Sequence, residues 1–127
     1  MQVSDLVAKT PVTCDSGVTL RDVAVLMQSE EVGSVLVLPG GVLRGIVTDR
    51  DLVRATAAGA NPTTEAVSSW MTPDPDTIEA DMEVSDAADW LVASGYRHIP
   101  VVDGGRLVGV TSIKDVLWAL TERPLYR

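Results

Sequence analysis

One register runs through this chain twice. Gly45 and Gly109, Asp51 and Asp115, Asp22 and Asp86, and Val37 and Val101 each stand 64 residues apart. Pro11/Pro75, Thr13/Thr77, Ala24/Ala88, Gly40/Gly104, Gly41/Gly105 and Leu43/Leu107 keep the same offset without a gap. Chance does not hold one register over so many positions, so the chain is a tandem duplication. Its halves are drawn at residues 1–60 and 61–127. Two copies of one unit restrict the architecture to an internally symmetric one.

Each half reads in the same order. Leu20, Val23, Ala24 and Met27 recur at helical spacing, as do Val84, Ala87, Ala88 and Leu91 in the second copy. That is the stripe of a helix lying on a core. Apolar runs follow at Val35–Leu38 and Ile99–Val102, then glycine turns at Pro39-Gly40-Gly41 and Asp103-Gly104-Gly105. Second runs, Val42–Val47 and Arg106–Thr111, complete a hairpin pattern. A further helix is predicted from Asp49 and from Ile113, with Val116, Leu117 and Leu120 as the core stripe of the latter. Short extended pieces, Val12–Cys14 and Asp76–Ile78, open the halves. Residues 56–64, with Gly59, Asn61 and Pro62, form the link. The expected fold class is α/β (α+β), two β-α-β-β-α repeats packed sheet to sheet with pseudo-two-fold symmetry, because neither half has enough core alone.

The charge balance narrows the partners. Ten Lys and Arg against 18 Asp and Glu give a net charge of −8. Such a field repels nucleic acid and anionic membrane, so an anionic ligand needs a local basic cluster. No apolar run approaches the ~18 residues of a membrane span, and no signal-peptide pattern opens the chain, so a cytoplasmic protein is expected. One Cys and one His make a metal site unexpected.

Chemistry concentrates where a strand runs into a helix. Gly45-Ile46-Val47-Thr48-Asp49-Arg50-Asp51 is mirrored by Gly109-Val110-Thr111-Ser112-Ile113-Lys114-Asp115. Thr48 with Asp51, and Ser112 with Asp115, read as helix caps with an acid at the third position. Both pairs also recur at matched strand ends beside a base, Arg50 or Lys114, and an Asp at a helix N-terminus accepts ribose hydroxyls. Tyr96-Arg97-His98-Ile99-Pro100 leads into a buried strand and offers a guanidinium fork for phosphate. Gly33 and Ser34, without charge, hold the positions of Arg97 and His98 in the first half. No nucleophile is paired with a base, so an enzyme is not expected. Cys14 reads as a buried, inert thiol.

The duplicated unit, closed in each copy by Gly-x-x-(Thr/Ser)-x-x-Asp, resembles the cystathionine-β-synthase (CBS) domain pair, or Bateman module. Tyr96–Asp103 and Leu107-Val108-Gly109-Val110 are similar to that family's strand patterns, and the resemblance spans residues 3–120, as for a stand-alone module. It implies a regulatory sensor of AMP, ADP, ATP or S-adenosylmethionine, with Mg2+ only as a companion of ATP. The resemblance groups Ile46, Thr48, Arg50 and Asp51 with Pro75, Asp76, Thr77, Arg97, His98 and Pro100 in one cleft. The other cleft takes Val110, Ser112, Lys114 and Asp115 with Pro11, Val12, Thr13, Gly33 and Ser34. Asp51 and Asp115 would hold ribose hydroxyls, Ile46 or Val110 would pack on the base, and Thr48 or Ser112 would meet ribose or phosphate. The missing basic pair in the second cleft favours a neutral or zwitterionic adenosyl ligand there, or none. The alternative is a ligand-independent dimerisation module with vestigial clefts. A homodimer is expected on either reading, with Trp90 and Trp118 as exposed anchors; the downstream protein is unknown.

Overall fold

A computed structural model describes residues 1–7 and 10–121; residues 122–127 of the second half lie outside the described residues. The chain divides into two compact units, Pro11–Pro75 and Met1–Thr10 with Asp76–Arg127. This spatial grouping differs from the halves drawn at 60 and 61. The first ten residues join the second copy, and residues 61–75 join the first.

In the first unit, strand β1 (Thr13–Cys14) runs parallel to β2 (Ser34–Val37), which pairs antiparallel with β3 (Gly45–Thr48). A fourth short strand, β4 (Thr72–Pro73), closes the sheet against β3. Helix α1 (Leu20–Glu30) begins at Thr19, whose hydroxyl accepts from the Asp22 N–H while the Asp22 carboxylate accepts from the Thr19 N–H. That reciprocal box satisfies two of the helix's orphan donors. Helix α2 (Asp49–Ala57) follows β3 without a break. The predicted strand Val42–Val47 is shorter and later than expected. Gly40 and Gly41 take positive φ, and pairing with β2 starts only at Gly45. Val42 is left half-exposed. Ala24 of the predicted α1 stripe is also exposed, and Leu26 packs on the core instead.

The second unit repeats the pattern. Strand β5 (Ile78–Glu79) is parallel to β6 (His98–Asp103), which pairs antiparallel with β7 (Arg106–Ser112). Helix α3 (Val84–Ser94) ends on Gly95 at φ 78°, and α4 (Ile113–Thr121) follows β7. The equivalent of Gly95 in the first unit is Glu31, held at φ 55°, a conformation that costs a side-chain-bearing residue roughly 1–2 kcal/mol. Val116 is buried on the core and Ala119 packs against it, but Leu117 and Leu120 are exposed. The predicted α4 stripe was therefore misplaced. Val116 and Ala119 mark the inner face, whereas Ile113, Leu117 and Leu120 form a second stripe turned to solvent at i, i+4, i+7.

The exchange of leading segments is what completes both cores. Val3 belongs to the core of Ile78, Val84, Leu91, Ile99 and Val101, and Val67 to that of Val23, Met27, Val35, Val37 and Val47. Each sits in a short 3-10 turn, Val3–Leu6 or Val67–Ser69. The backbone ties are equivalent: the Val3 N–H donates to Met82 O and the Val67 N–H to Val18 O, both at 2.8 Å. Further on, Val7 lies over Gly109 and Met71 over Gly45, so close that a methyl on either glycine would overlap its neighbour. The glycine that opens each repeated motif is a packing requirement of this crossing segment.

Candidate functional site

Both strand-to-helix junctions carry the same local wiring. At the first, the Thr48 N–H donates to Asp51 Oδ2 at 2.8 Å, the Thr48 hydroxyl donates to the same oxygen at 3.2 Å, and the Asp51 N–H returns to Thr48 Oγ1 at 3.3 Å. At the second, the Ser112 N–H donates to Asp115 Oδ2 at 3.2 Å and the Asp115 N–H to Ser112 Oγ at 3.1 Å. The helix caps expected from the sequence are thus full reciprocal boxes. The first-turn N–H groups of Asp49, Arg50 and Asp51 are already taken by Gly33 O, Asp49 Oδ1 and Thr48 Oγ1, so the acid and the hydroxyl are the groups at this helix start suited to the polar groups of a sugar.

Register and backbone bonds place Gly33, Ser34, Arg97 and His98 beside these junctions, and the other candidates lie as follows. In the first unit Ser34 pairs with Thr48, and the Asp49 N–H donates to Gly33 O at 3.0 Å. Val12 O accepts from Leu36, and Thr13 is that residue's register partner. Pro11 and Pro75 begin and end this unit, and Ile46 is buried within its sheet. In the second unit His98 pairs with Ser112, Pro100 with Val110, and the Ile113 N–H donates to Arg97 O at 2.8 Å. Arg97, half-buried His98 and exposed Lys114 therefore gather around the start of α4, near Asp115. Asp76 and Thr77 are exposed just before β5. Within the first unit, Arg50 and Arg54 are the exposed bases at this junction, with Gly33 and Ser34 opposite.

The two acids differ in surroundings. Asp51 is buried and its Oδ1 accepts from Arg54 Nη2 at 2.7 Å, whereas Asp115 is exposed. Arg54 also donates to Trp70 O at 3.4 Å, and its guanidinium lies 5.9 Å from the centroid of that indole. Trp70 Nε1 in turn donates to Glu65 Oε1 at 2.9 Å. Sequence reading took Trp70 as a packing or interface residue and missed Arg54. The i, i+3 spacing of Asp51 and Arg54 was the available signal.

Cys14 lies on the edge strand β1. Burial, and secondarily the Asp15 carboxylate, pushes its thiol up to about 11. Among the described residues no group of three His, Cys, Asp or Glu side chains is placed to hold a metal ion. No helix among them is long and apolar enough to cross a membrane.

The family model of the CBS domain matches residues 3–58 and 67–122, most of the chain and both copies. The chain belongs to the CBS-domain family. A CBS domain-containing protein of Bacillus subtilis is 30% identical over 114 residues, 90% of this chain and 81% of that one. The CBS-domain protein of Agrobacterium tumefaciens shares 32% identity at a TM-score of 0.88, covering 94% of this chain and 99% of that one. A CBS-domain protein of Pyrobaculum aerophilum, solved in complex with AMP, shares 27% identity at a TM-score of 0.86, covering 99% and 95%. The mixed α/β fold, with two sheets and four α-helices among the described residues, is that of CBS-domain pairs.

Proposed function

We propose that this CBS pair is a regulatory module that binds an adenosyl ligand and passes the bound state to a downstream protein, rather than an enzyme. The observation that carries the reading is the duplicated junction, a hydroxyl and an acid locked together at the N-terminus of a helix in both copies. Asp51 and Asp115 would accept ribose hydroxyls, and Arg97, His98 and Lys114 supply positive charge for a phosphate in a chain of net charge −8. The AMP complex of the Pyrobaculum relative supports AMP as the first ligand to try.

Thermal melting with and without millimolar AMP, ATP and S-adenosylmethionine tests this. A ligand at 100 times its Kd stabilises the folded state by roughly 2.7 kcal/mol, or about 10 °C for a chain this long. No shift with any of the three would refute ligand sensing.

A second reading, self-association without ligand, is favoured by one specific observation. Ile113, Leu117, Trp118 and Leu120 expose apolar surface on α4, and such a stripe is stable in water when a partner covers it. We therefore propose a homodimer, with one correction to its anchors. Trp118 is exposed as expected, but Trp90 is half-buried against the core and stacks on Tyr96 with ring centroids 5.6 Å apart.

A further inference from the structure

We propose that Arg54 is a positioning residue that keeps Asp51 internally satisfied, so that the two acids of the repeat are unequal: Asp115 is open to a ligand, and Asp51 engages one only when Arg54 gives way. This rests on the reading of both acids as ribose acceptors.

A carboxylate offers about four lone-pair positions. At Asp51 the Thr48 N–H and hydroxyl take up Oδ2, and Arg54 takes Oδ1 at 2.7 Å. The side chain is buried, which leaves little room to approach the remaining positions. A ribose hydroxyl must compete with a charged donor already in place. Arg54 is itself held from the other side by Trp70, through the indole face and the backbone carbonyl. Displacing Arg54 from Asp51 therefore disturbs the surroundings of Trp70 and its bond to Glu65.

The second copy lacks every part of this device. At the offset of 64, Trp118 stands in place of Arg54, and Leu6 in place of Trp70. Among the described residues Asp115 has no ion pair, is exposed, and gives only Oδ2 to its cap. One substitution within the repeat thus separates an open acid from a guarded one.

The Asp51–Arg54 pair is half-exposed on the arginine side, and such pairs contribute modestly. Removing the competitor should tighten AMP at Asp51 by about two- to fivefold. The test is calorimetric titration of AMP into the wild-type chain, Arg54→Met, Asp51→Asn and Asp115→Asn, with tryptophan emission followed in parallel. In the wild type Asp115→Asn should weaken AMP more than Asp51→Asn does. Arg54→Met should bind more tightly, and adding Asp51→Asn should cancel that gain. AMP should change the emission of the wild type, less so in Trp70→Phe. A purely structural arginine would lower affinity on removal, never raise it. Arg54→Lys, which keeps charge but loses the planar overlay on Trp70, should tighten AMP more weakly and serves if Arg54→Met does not fold. Unchanged or weakened AMP binding in the arginine variants, with the wild type still binding, would overturn the guard while leaving nucleotide sensing intact. Absence of binding in every protein would overturn both.

Discussion

Replacing Asp51 or Asp115 by alanine removes the same motif residue from two environments, and the costs should differ. Asp51→Ala deletes the acceptor of the Thr48 N–H at 2.8 Å and the partner of Arg54 at 2.7 Å. A hydrogen bond to a charged group contributes about 1.5–3 kcal/mol. The half-exposed ion pair adds about 0.2–1 kcal/mol, and the helix dipole about 0.3–1 kcal/mol. Against this, alanine no longer carries a carboxylate into a buried place, which returns part of the sum. A net loss of about 2 kcal/mol follows. Asp115 is exposed, has no ion pair among the described residues, and accepts at 3.2 Å; its loss should cost about 0.5–1 kcal/mol. For 127 residues 1 kcal/mol corresponds to about 4 °C in Tm. Asp51→Ala should therefore melt roughly 4–6 °C below Asp115→Ala, and scanning calorimetry on both variants reads the gap. Equal losses, or a larger one at Asp115, would refute the claim that burial and Arg54 make Asp51 the more structural acid.

Three more outcomes can be checked directly. Thr111 is fully buried and its hydroxyl has no partner among the described residues, while Val47 holds the equivalent place in the first unit. Thr111→Val should raise stability by about 1 kcal/mol, because an unmet buried hydroxyl is costly, and urea unfolding would show it; a lowered midpoint would mean the hydroxyl is satisfied. With the Cys14 thiol raised to about 11, the native chain should react with Ellman's reagent at pH 8 roughly 100-fold more slowly than the unfolded chain. Since the folded state holds that proton longer, Cys14 favours the native state below its ordinary value near 9, and this contribution is lost as pH rises towards 11. Leu117→Glu places a charge in the exposed α4 stripe, so sedimentation velocity should show a dimer turned to monomer, and the concentration dependence of the melting temperature should disappear with it.

Much of this was legible because local chemistry and the repeat agreed. The positions of α1, α3 and both hairpins follow from apolar spacing and glycine pairs, and Thr48/Asp51 and Ser112/Asp115 announced themselves as caps. Three things were not legible. The offset makes Val3 equivalent to Val67, but an offset cannot say which copy's core each enters. A glycine inside a strand, as at Gly45 and Gly109, was the hint of a close crossing. Leu117 and Leu120 looked like core because a short helix with apolar residues on both faces has no unique inward stripe. Arg54 escaped notice because its importance lies in Trp70, sixteen residues away in sequence. How the candidate residues would share a ligand came from the family resemblance, not from the spacing itself.

The exchanged leading segment also governs the order in which the chain can become native. Residues 11–75 are contiguous, so their unit can close once they have left the ribosome. Val3, by contrast, must wait for Ile78, Leu91 and Val101. During synthesis its segment is without a home until residues 78–101 have followed it. Such long sequence separation slows folding and prolongs exposure of apolar surface. Moving the first ten residues to follow Thr121 would change that schedule, at the loss of the exposed Met1 ammonium–Glu83 pair. Refolding of such a permutant should be faster in its second unit than in the natural order.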